Sequence, residues 1–115
     1  MEIKVNHKDD VAVISIKGEL DAKSSPELTQ AFDNQINEGY VNFVADLKEL
    51  DYSSSAGIRI FLGSARNSRQ HGGDLRIAAV QPQVDRIFKL SKFEKIVKIF
   101  PSVDEAVTSY NQTGN

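Results

Sequence analysis

The sequence predicts an α/β protein with a mostly parallel sheet. Apolar runs typical of strands alternate with stretches of helical periodicity, in the order β-β-α-β-α-β-α-β-α. Strands that are separated by helices pair in parallel through right-handed crossovers. Only a short polar turn separates the first two strands, so we expect the first strand to be antiparallel at the N-terminal edge of the sheet.

The first two strands are predicted on either side of a turn at residues 8–10. Ile3 and Val5 alternate with polar residues, which indicates a half-buried strand. Residues 11–16 are almost continuously apolar, which indicates a more buried second strand. A short loop at residues 18–21 follows it.

The first helix has both a start and a stop signal. Ser25 is the expected hydroxyl cap, Pro26 takes the first helical position, and Glu27 lies in the first turn. Gly39 can end the helix by adopting a left-handed conformation. The predicted buried face has helical spacing and consists of Leu28, Ala31, Phe32, Gln35 and Ile36.

A cluster of three serines joins the central strand to the second helix. Residues 41–47 are predominantly apolar, which predicts a strand in the centre of the sheet. The second helix is expected to end at the turn at residues 71–73 and to bury Ile58, Phe61, Leu62 and Ala65. The serine cluster, within residues 51–57, is thereby placed between the end of a strand and the start of a helix.

The rest of the chain completes one domain. Residues 75–80 and 96–100 are predicted strands, and Pro82 opens the helix between them. Ser102 and Glu105 have the spacing of a capping box at the start of the last helix. We expect a single domain over residues 1–115, with residues 111–115 as a flexible tail.

Composition excludes several classes of function. The net charge of −2 provides no electrostatic reason to expect binding to nucleic acid or to an anionic membrane. The absence of cysteine rules out disulfides and thiolate chemistry, and the two histidines and scattered acids lack metal-ligand spacing. No apolar run is long enough to span a membrane. We expect a cytoplasmic protein without a cofactor, and the sequence leaves homo-oligomerisation open.

The candidate site lies where the ends of the parallel strands meet. The loop at residues 18–21 and the serine cluster both follow strands, so they should share one rim of the sheet. Free N–H groups at the start of the second helix favour an anion, or a hydroxyl group that phosphorylation converts into one. Gly57 is expected to keep the first turn open to a large partner surface. Two interpretations stay open for the serines: a simple N-cap at Ser53 or Ser54, or a regulated phosphoacceptor.

Other residues near this rim also have two interpretations. Glu19 and Asp21 are either structural loop residues or acids of a partner interface. Arg59 and Tyr52 are the only hints of a lining for a small anion, and the sequence favours Arg59 as a solvated helix residue. A catalytic serine is disfavoured, since neither histidine of the chain is placed to activate Ser55.

Three motifs follow one another along the predicted elements. Gly-Glu-Leu-Asp at residues 18–21 follows the second strand. Residues 46–57 carry Asp-Leu and then Leu-Asp-Tyr-Ser-Ser-Ser-Ala-Gly before the second helix, and residues 72–75 carry Gly-Gly-Asp-Leu ahead of Pro82 and Phe88. Together they resemble the STAS domain, in particular the bacterial anti-sigma factor antagonists.

This resemblance covers residues 2–110 and assigns roles to individual residues. Ser55, two residues before Gly57, matches the serine that is phosphorylated in the family. Many members have an aspartate immediately before that serine, whereas this chain has Ser54 and resembles the members with Ser-Ser-Ala-Gly. Asp21 matches the loop aspartate that members present to the anti-sigma partner.

The resemblance also implies a mechanism, partner switching. The dephosphorylated protein would bind an anti-sigma factor that is also a serine kinase and thereby free a sigma factor. Phosphorylation of Ser55 would end this binding, and a serine phosphatase would restore it. The chain would then not be an enzyme. The partner-binding residues would be Glu19, Asp21, Tyr52, Ser53, Ser54, Ala56, Gly57 and Arg59.

Two other functions are kept as alternatives. One is a small-ligand or nucleotide-binding STAS module that acts as a sensor through the same rim. The other is a phosphoryl-carrying or hydrolytic enzyme, which the lack of a suitably placed histidine disfavours.

Overall fold

The structure, a computed structural model, describes residues 1–111. The predicted tail therefore begins at the last residue of the final helix, and residues 112–115 lie outside the described part. A short 3-10 helix, Phe93–Lys95, precedes the last strand. The strands and other helices are, in chain order, β1 (Glu2–Lys8), β2 (Val11–Leu20), α1 (Ser25–Asn37), β3 (Asn42–Asp46), β4 (Leu50–Ser53), α2 (Ser55–Gln70), β5 (Asp74–Ala78), α3 (Pro82–Leu90), β6 (Ile99–Phe100) and α4 (Val103–Asn111).

The sheet confirms the predicted fold class. Its strand order is β1-β2-β3-β5-β6, and β4 pairs separately with β2. Only β1 is antiparallel to its neighbour among the strands described. Asp9 and Asp10 form the two-residue turn between β1 and β2, with φ angles of 50° and 66°. Such left-handed turn residues match the twist of an antiparallel hairpin.

Strand β4 is the main difference from the predicted order, which placed its residues in a connecting segment. β3 pairs with β2 only as far as Ser15, so the last residues of the ten-residue β2 are left for another partner. β4 is short and has only two buried residues, which explains why its pattern does not indicate a strand. The parallel pairs are Gly18 with Leu50, Glu19 with Tyr52, and Leu20 with Ser53.

The helices cover the two faces of the sheet unequally. Helices α1, α2 and α3 pack on one face, in a core that is rich in fully buried phenylalanines: Phe32, Phe43, Phe61, Phe88 and Phe93. Helix α4 covers part of the other face, where Ala106 and Val107 pack against Val11, Val13 and Val44. This layering leaves the C-terminal ends of the strands at one rim of the molecule.

Two of the predicted helix signals are confirmed and one is wrong. Gly39, which follows the C-cap residue Glu38 of α1, has a φ angle of 102°, and the amide of Glu105 donates to the Ser102 hydroxyl at 3.2 Å. Ser25, by contrast, is not a cap. It is the first residue of α1, and its hydroxyl donates to the Asp21 carbonyl oxygen at 2.6 Å. The hydroxyl is therefore used by the preceding loop instead of by the helix.

The predicted fifth strand is also shorter than expected. Lys92 takes a left-handed conformation, with φ of 59°, and the 3-10 helix follows it directly. The chain consequently joins the sheet only at Ile99, and Ile96 lies outside the sheet with 52% of its surface exposed.

Candidate functional site

The rim of the sheet brings together two segments that are about thirty residues apart in sequence. The Ser54 amide donates to the Leu20 carbonyl at 2.8 Å, and the Gly18 amide donates to the Glu49 carbonyl at 3.0 Å. Glu19 and Tyr52 are paired across these strands, and both are exposed. The end of β2 and the start of α2 thus form one continuous surface, as the sequence predicts.

The loop after β2 is organised by Asp21. One carboxylate oxygen, Oδ1, accepts hydrogen bonds from the amides of Lys23 and Ser24, both at 3.0 Å, and from the Ser24 hydroxyl at 3.1 Å. These bonds lower the pKa of Asp21 below its usual 3.8. The bond from the Ser24 amide has the largest effect, and the bond from the Ser24 hydroxyl has the next largest. The structural role considered for Asp21 is therefore present, and its side chain remains partly exposed.

The three serines before α2 have three different environments. Ser53 is fully buried and donates to the Ser54 carbonyl at 3.1 Å. Ser54 is the N-cap, and its hydroxyl accepts a long bond of 3.4 Å from the Gly57 amide. Ser55 is the first helical residue and is exposed, and its hydroxyl has no hydrogen bond to any residue in 1–111. Capping therefore accounts for Ser54 but leaves Ser55 free.

Gly57 differs from its predicted role. It is buried, and a Cβ at this position would lie 2.8 Å from Cγ of Leu20 and would overlap Oγ of Ser53. The missing side chain thus allows the first turn of α2 to pack closely on β2. The interpretation that Gly57 keeps this turn open to a partner is wrong, because the residue faces the core.

The other predicted site residues divide by exposure. Arg59 is exposed and lies one helical turn after Ser55, so both are on the same face of α2. Ala56 and Ser54 are half-buried. Ser53 and Gly57 are buried and present no side chain at the surface. They lie beneath the exposed residues of the rim.

Two glutamines that the sequence pattern does not single out also hold this rim in place. Gln81 Nε2 donates to the Lys48 carbonyl at 2.8 Å, and Gln83 Nε2 donates to the Asp51 carbonyl at 3.2 Å. Both lie at the start of α3 and connect it to β4 and to the residues just before β4. Their only signal in the sequence is their place beside Pro82, which follows a predicted strand.

Catalytic and metal-binding groups are not assembled around Ser55. His7 lies on β1, with Nε2 2.6 Å from Oε1 of Gln35, and its ring stacks on Tyr40. His71 follows the far end of α2 and contacts the Asn67 carbonyl at 2.9 Å. Within the described residues, no group of three potential metal ligands occurs, and no helix is long and apolar enough to cross a membrane.

Curated relatives of this chain are named as antagonists of anti-sigma factors. The chain is 28% identical to an anti-sigma F factor antagonist of Paenibacillus polymyxa, over 94% of this chain and 93% of the relative. It is 29% identical to an anti-sigma-B factor antagonist of Listeria monocytogenes, over 86% of each chain. The two identities are nearly equal, so they do not favour one of these two sigma pathways.

Solved structures with the same fold include anti-sigma factor antagonists. An anti-sigma factor antagonist from Mycobacterium paratuberculosis superposes with a TM-score of 0.88 at 25% identity, over 96% of this chain and 94% of that chain. SpoIIAA of Bacillus has been solved unphosphorylated and phosphorylated, with TM-scores of 0.83 and 0.73 and identities of 19% and 18%. These alignments cover 99% and 95% of this chain, and 100% and 99% of the SpoIIAA chains. At such identities SpoIIAA shows the fold alone.

The family model of the STAS domain matches residues 2–106, which is nearly the whole chain. It includes every element that builds the rim, from β1 to the first residues of α4. The chain therefore belongs to the STAS domain family.

Proposed function

We propose that the chain is an anti-sigma factor antagonist whose binding is switched off by phosphorylation of Ser55. The observation that carries this proposal is the environment of Ser55, an exposed hydroxyl without a hydrogen bond to residues 1–111, at the start of α2. The names of the relatives and the family membership support the same function. The function is one of binding, and the chain is not an enzyme.

The proposed cycle has two further protein partners. The dephosphorylated chain binds an anti-sigma factor, which then releases its sigma factor. We propose that the same anti-sigma factor is the serine kinase that modifies Ser55 and that a serine phosphatase restores the binding state. All of these steps belong to the cytoplasm, where sigma factors act.

The partner-binding surface proposed here consists of the exposed and half-exposed residues of the rim. Tyr52 has 46% of its surface exposed and is the large hydrophobic side chain among them. Aromatic residues of this kind commonly contribute most of the binding energy of an interface. The residues in direct contact would be Glu19, Asp21, Tyr52, Ser54, Ala56 and Arg59, with Ser53 and Gly57 supporting them from below.

Electrostatics explain how one phosphate could release the partner. A phosphoserine carries a charge of about −1.5 to −2 at neutral pH. Enclosing it in an interface where the partner offers it no cation costs several kcal/mol, and about 3 kcal/mol corresponds to a hundredfold loss of affinity. In the free protein the phosphate would face the N–H groups of α2 and the Arg59 side chain one turn away. The switch therefore requires no refolding of the antagonist.

A sensor of nucleotides or other small anions is less well supported. The open cavity at the β2 end of the rim is lined mainly by charged side chains, and three of them are acids: Glu19, Asp21 and Glu27. Lys23 is the one basic side chain among these lining residues. This arrangement repels an anionic ligand, so we propose no small-molecule site there.

Phosphosite mapping and binding measurements test the proposal together. Intact-mass analysis of the protein from its own host, with and without phosphatase, should find one phosphate, on Ser55. Calorimetry against each purified anti-sigma factor of that host should find one that binds the unphosphorylated chain. A modification at Ser53 or Ser54 would move the switch to another residue. Absence of phosphate in all growth conditions, together with unchanged binding of Ser55→Asp, would refute the switch.

A further inference from the structure

The exposed face of α2 continues beyond Ser55 into a groove. The groove lies between the C-terminal half of α2 and the segment before β6, and it is lined by Leu62, Arg66, Arg69, Gln70 and Ile96. Arg69 lines one side of the groove, and two hydrogen bonds hold its side chain there. Its Nη2 donates to the Ile96 carbonyl at 2.6 Å, and its Nε donates to the Asp74 carboxylate at 2.8 Å. Leu62 and Ile96 supply apolar surface. We refer to Leu62, Gly63, Arg66 and Ile96 as the α2 flank.

Gly63 is the first unexplained feature of the α2 flank. It lies in the middle of α2 and is exposed, and a Cβ built on it would meet no atom of the described residues within 4 Å. Glycine in a helix interior is less stable than alanine. Unlike Gly57, Gly63 is therefore not required by packing within residues 1–111. A glycine at such a place allows another backbone to approach the helix closely.

The charge of α2 is the second feature. The helix contains Arg59, Arg66 and Arg69 and no acidic residue, although the whole chain has a net charge of −2. Arg59 and Arg66 are exposed, and neither forms a salt bridge within the part of the chain described. They lie on the same face as Ser55, because helical positions 4 and 11 residues apart nearly coincide in direction.

We propose that the α2 flank docks an acidic amphipathic helix of the anti-sigma factor. Apolar side chains of this helix would cover Leu62 and Ile96, and its carboxylates would pair with Arg59 and Arg66. Its backbone would pass close to Gly63. The inference rests on the proposed function, and it extends the interface from the phosphorylation site along the full length of α2.

The test requires an anti-sigma factor from the same host. It uses the one that binds the wild-type chain in calorimetry. Arg66→Glu and Gly63→Leu should each weaken binding by about tenfold or more, without a lower melting temperature. Gly63→Ala should raise the melting temperature and still weaken binding, which separates docking from folding. Lys4→Glu is the matched control, since it makes the same charge change on the face of the sheet opposite α2 and should leave the affinity unchanged.

Ser55→Asp, measured in parallel, separates this inference from the proposed function. If Ser55→Asp abolishes binding while the α2 flank variants bind like wild type, the docking inference fails and the switch stands. Equal weakening by Arg66→Glu and Lys4→Glu would also overturn the inference, because it would indicate general electrostatic attraction. If no anti-sigma factor of the host binds the wild-type chain, both the inference and the function fall.

Discussion

Helices α1 and α2 both begin next to consecutive serines on the same rim, but their hydroxyl groups are used differently. Before α1, the hydroxyls of Ser24 and Ser25 are both bound to Asp21, at 3.1 Å to its carboxylate and 2.6 Å to its carbonyl. Before α2, Ser53 and Ser54 serve local structure, and Ser55 is exposed without a hydrogen bond to residues 1–111. A hydroxyl that its own loop does not need is available for modification.

The largest expected effect concerns the position of a negative charge at the start of α2. Ser55→Asp should weaken binding of the anti-sigma partner by about a hundredfold, which corresponds to about 3 kcal/mol. Ser54→Asp is the comparison variant: Ser54 is half-buried and caps the helix, a role that aspartate fills as well as serine does, so a charge there should weaken binding less than one at Ser55. Calorimetry on both variants measures the difference. Equal losses would show that any charge near the helix start suffices and that Ser55 is not special.

The second effect concerns the packing that holds the start of α2 against β2. Gly57→Ala should destabilise the protein by about 1–3 kcal/mol, because the added methyl group would crowd Leu20 and Ser53. Gly63→Ala, in the same helix but with open space around it, should stabilise by up to about 1 kcal/mol. Urea unfolding of the two variants gives both values. If Gly57→Ala were as stable as wild type, the first turn of α2 would be able to shift and accommodate the added methyl group at little cost.

A third effect tests whether the far end of the molecule is independent of the rim. The Tyr110 hydroxyl of α4 donates to the Phe43 carbonyl at 2.7 Å, and the Arg76 guanidinium lies 3.9 Å from the centre of its ring. Tyr110→Phe should cost about 1–2 kcal/mol of stability, since it leaves a buried carbonyl oxygen with fewer donors. Binding of the anti-sigma partner should not change, as α4 packs on the face of the sheet opposite α2.

The same tyrosine predicts how stability responds to alkali. Burial first, and then the charge of Asp74, raise the pKa of Tyr110 above its usual 10.0. The folded state therefore favours the neutral phenol, so its contribution is complete below pH 10 and is lost as the pH rises further. Wild type should lose more stability than Tyr110→Phe between pH 9 and pH 11 in thermal melts. Identical losses would contradict this assignment.

The smallest effects come from removing the serine hydroxyls themselves. Ser24→Ala removes bonds to Asp21 and should cost about 1 kcal/mol, whereas Ser55→Ala should change stability by less than about 0.5 kcal/mol. Ser24→Ala should also raise the pKa of Asp21, measured by NMR, because the bond from the Ser24 hydroxyl is, after that from the Ser24 amide, the second cause that lowers it. A large loss of stability in Ser55→Ala would reveal a structural role for that hydroxyl.

Features that depend on a few neighbouring residues could be predicted from the sequence. The capping box at Ser102 and the helix end at Gly39 are encoded within three or four positions, and both are present. The alternation of strands and helices likewise indicated the fold class, because it depends only on apolar periodicity. The place of Ser55 at the start of α2 followed from the same pattern.

Features that depend on distant pairing could not be predicted in this way. β4 exists because β2 extends past β3 and offers Gly18 and Glu19 to residues more than thirty positions away. The burial of Ser53 depends on how closely Gly57 approaches Leu20, which no local pattern expresses. The prediction of Ser25 as a helix cap is wrong for a similar reason, since the partner of its hydroxyl is the carbonyl of Asp21 in the preceding loop.

The division of β2 between β3 and β4 has a consequence for the speed of switching. Residues 11–15 of β2 belong to the central sheet, and residues 18–20 hold β4, so both parts of the rim are attached to one strand. Glu19, Tyr52 and Ser55 therefore all lie on one hydrogen-bonded unit of the chain by itself. If Ser55 is the switch, as proposed, neither binding nor phosphorylation requires a change of strand pairing in the antagonist. The time that a cell needs to change its transcription through this protein would then be set by the proposed kinase and phosphatase and by the lifetime of the complex.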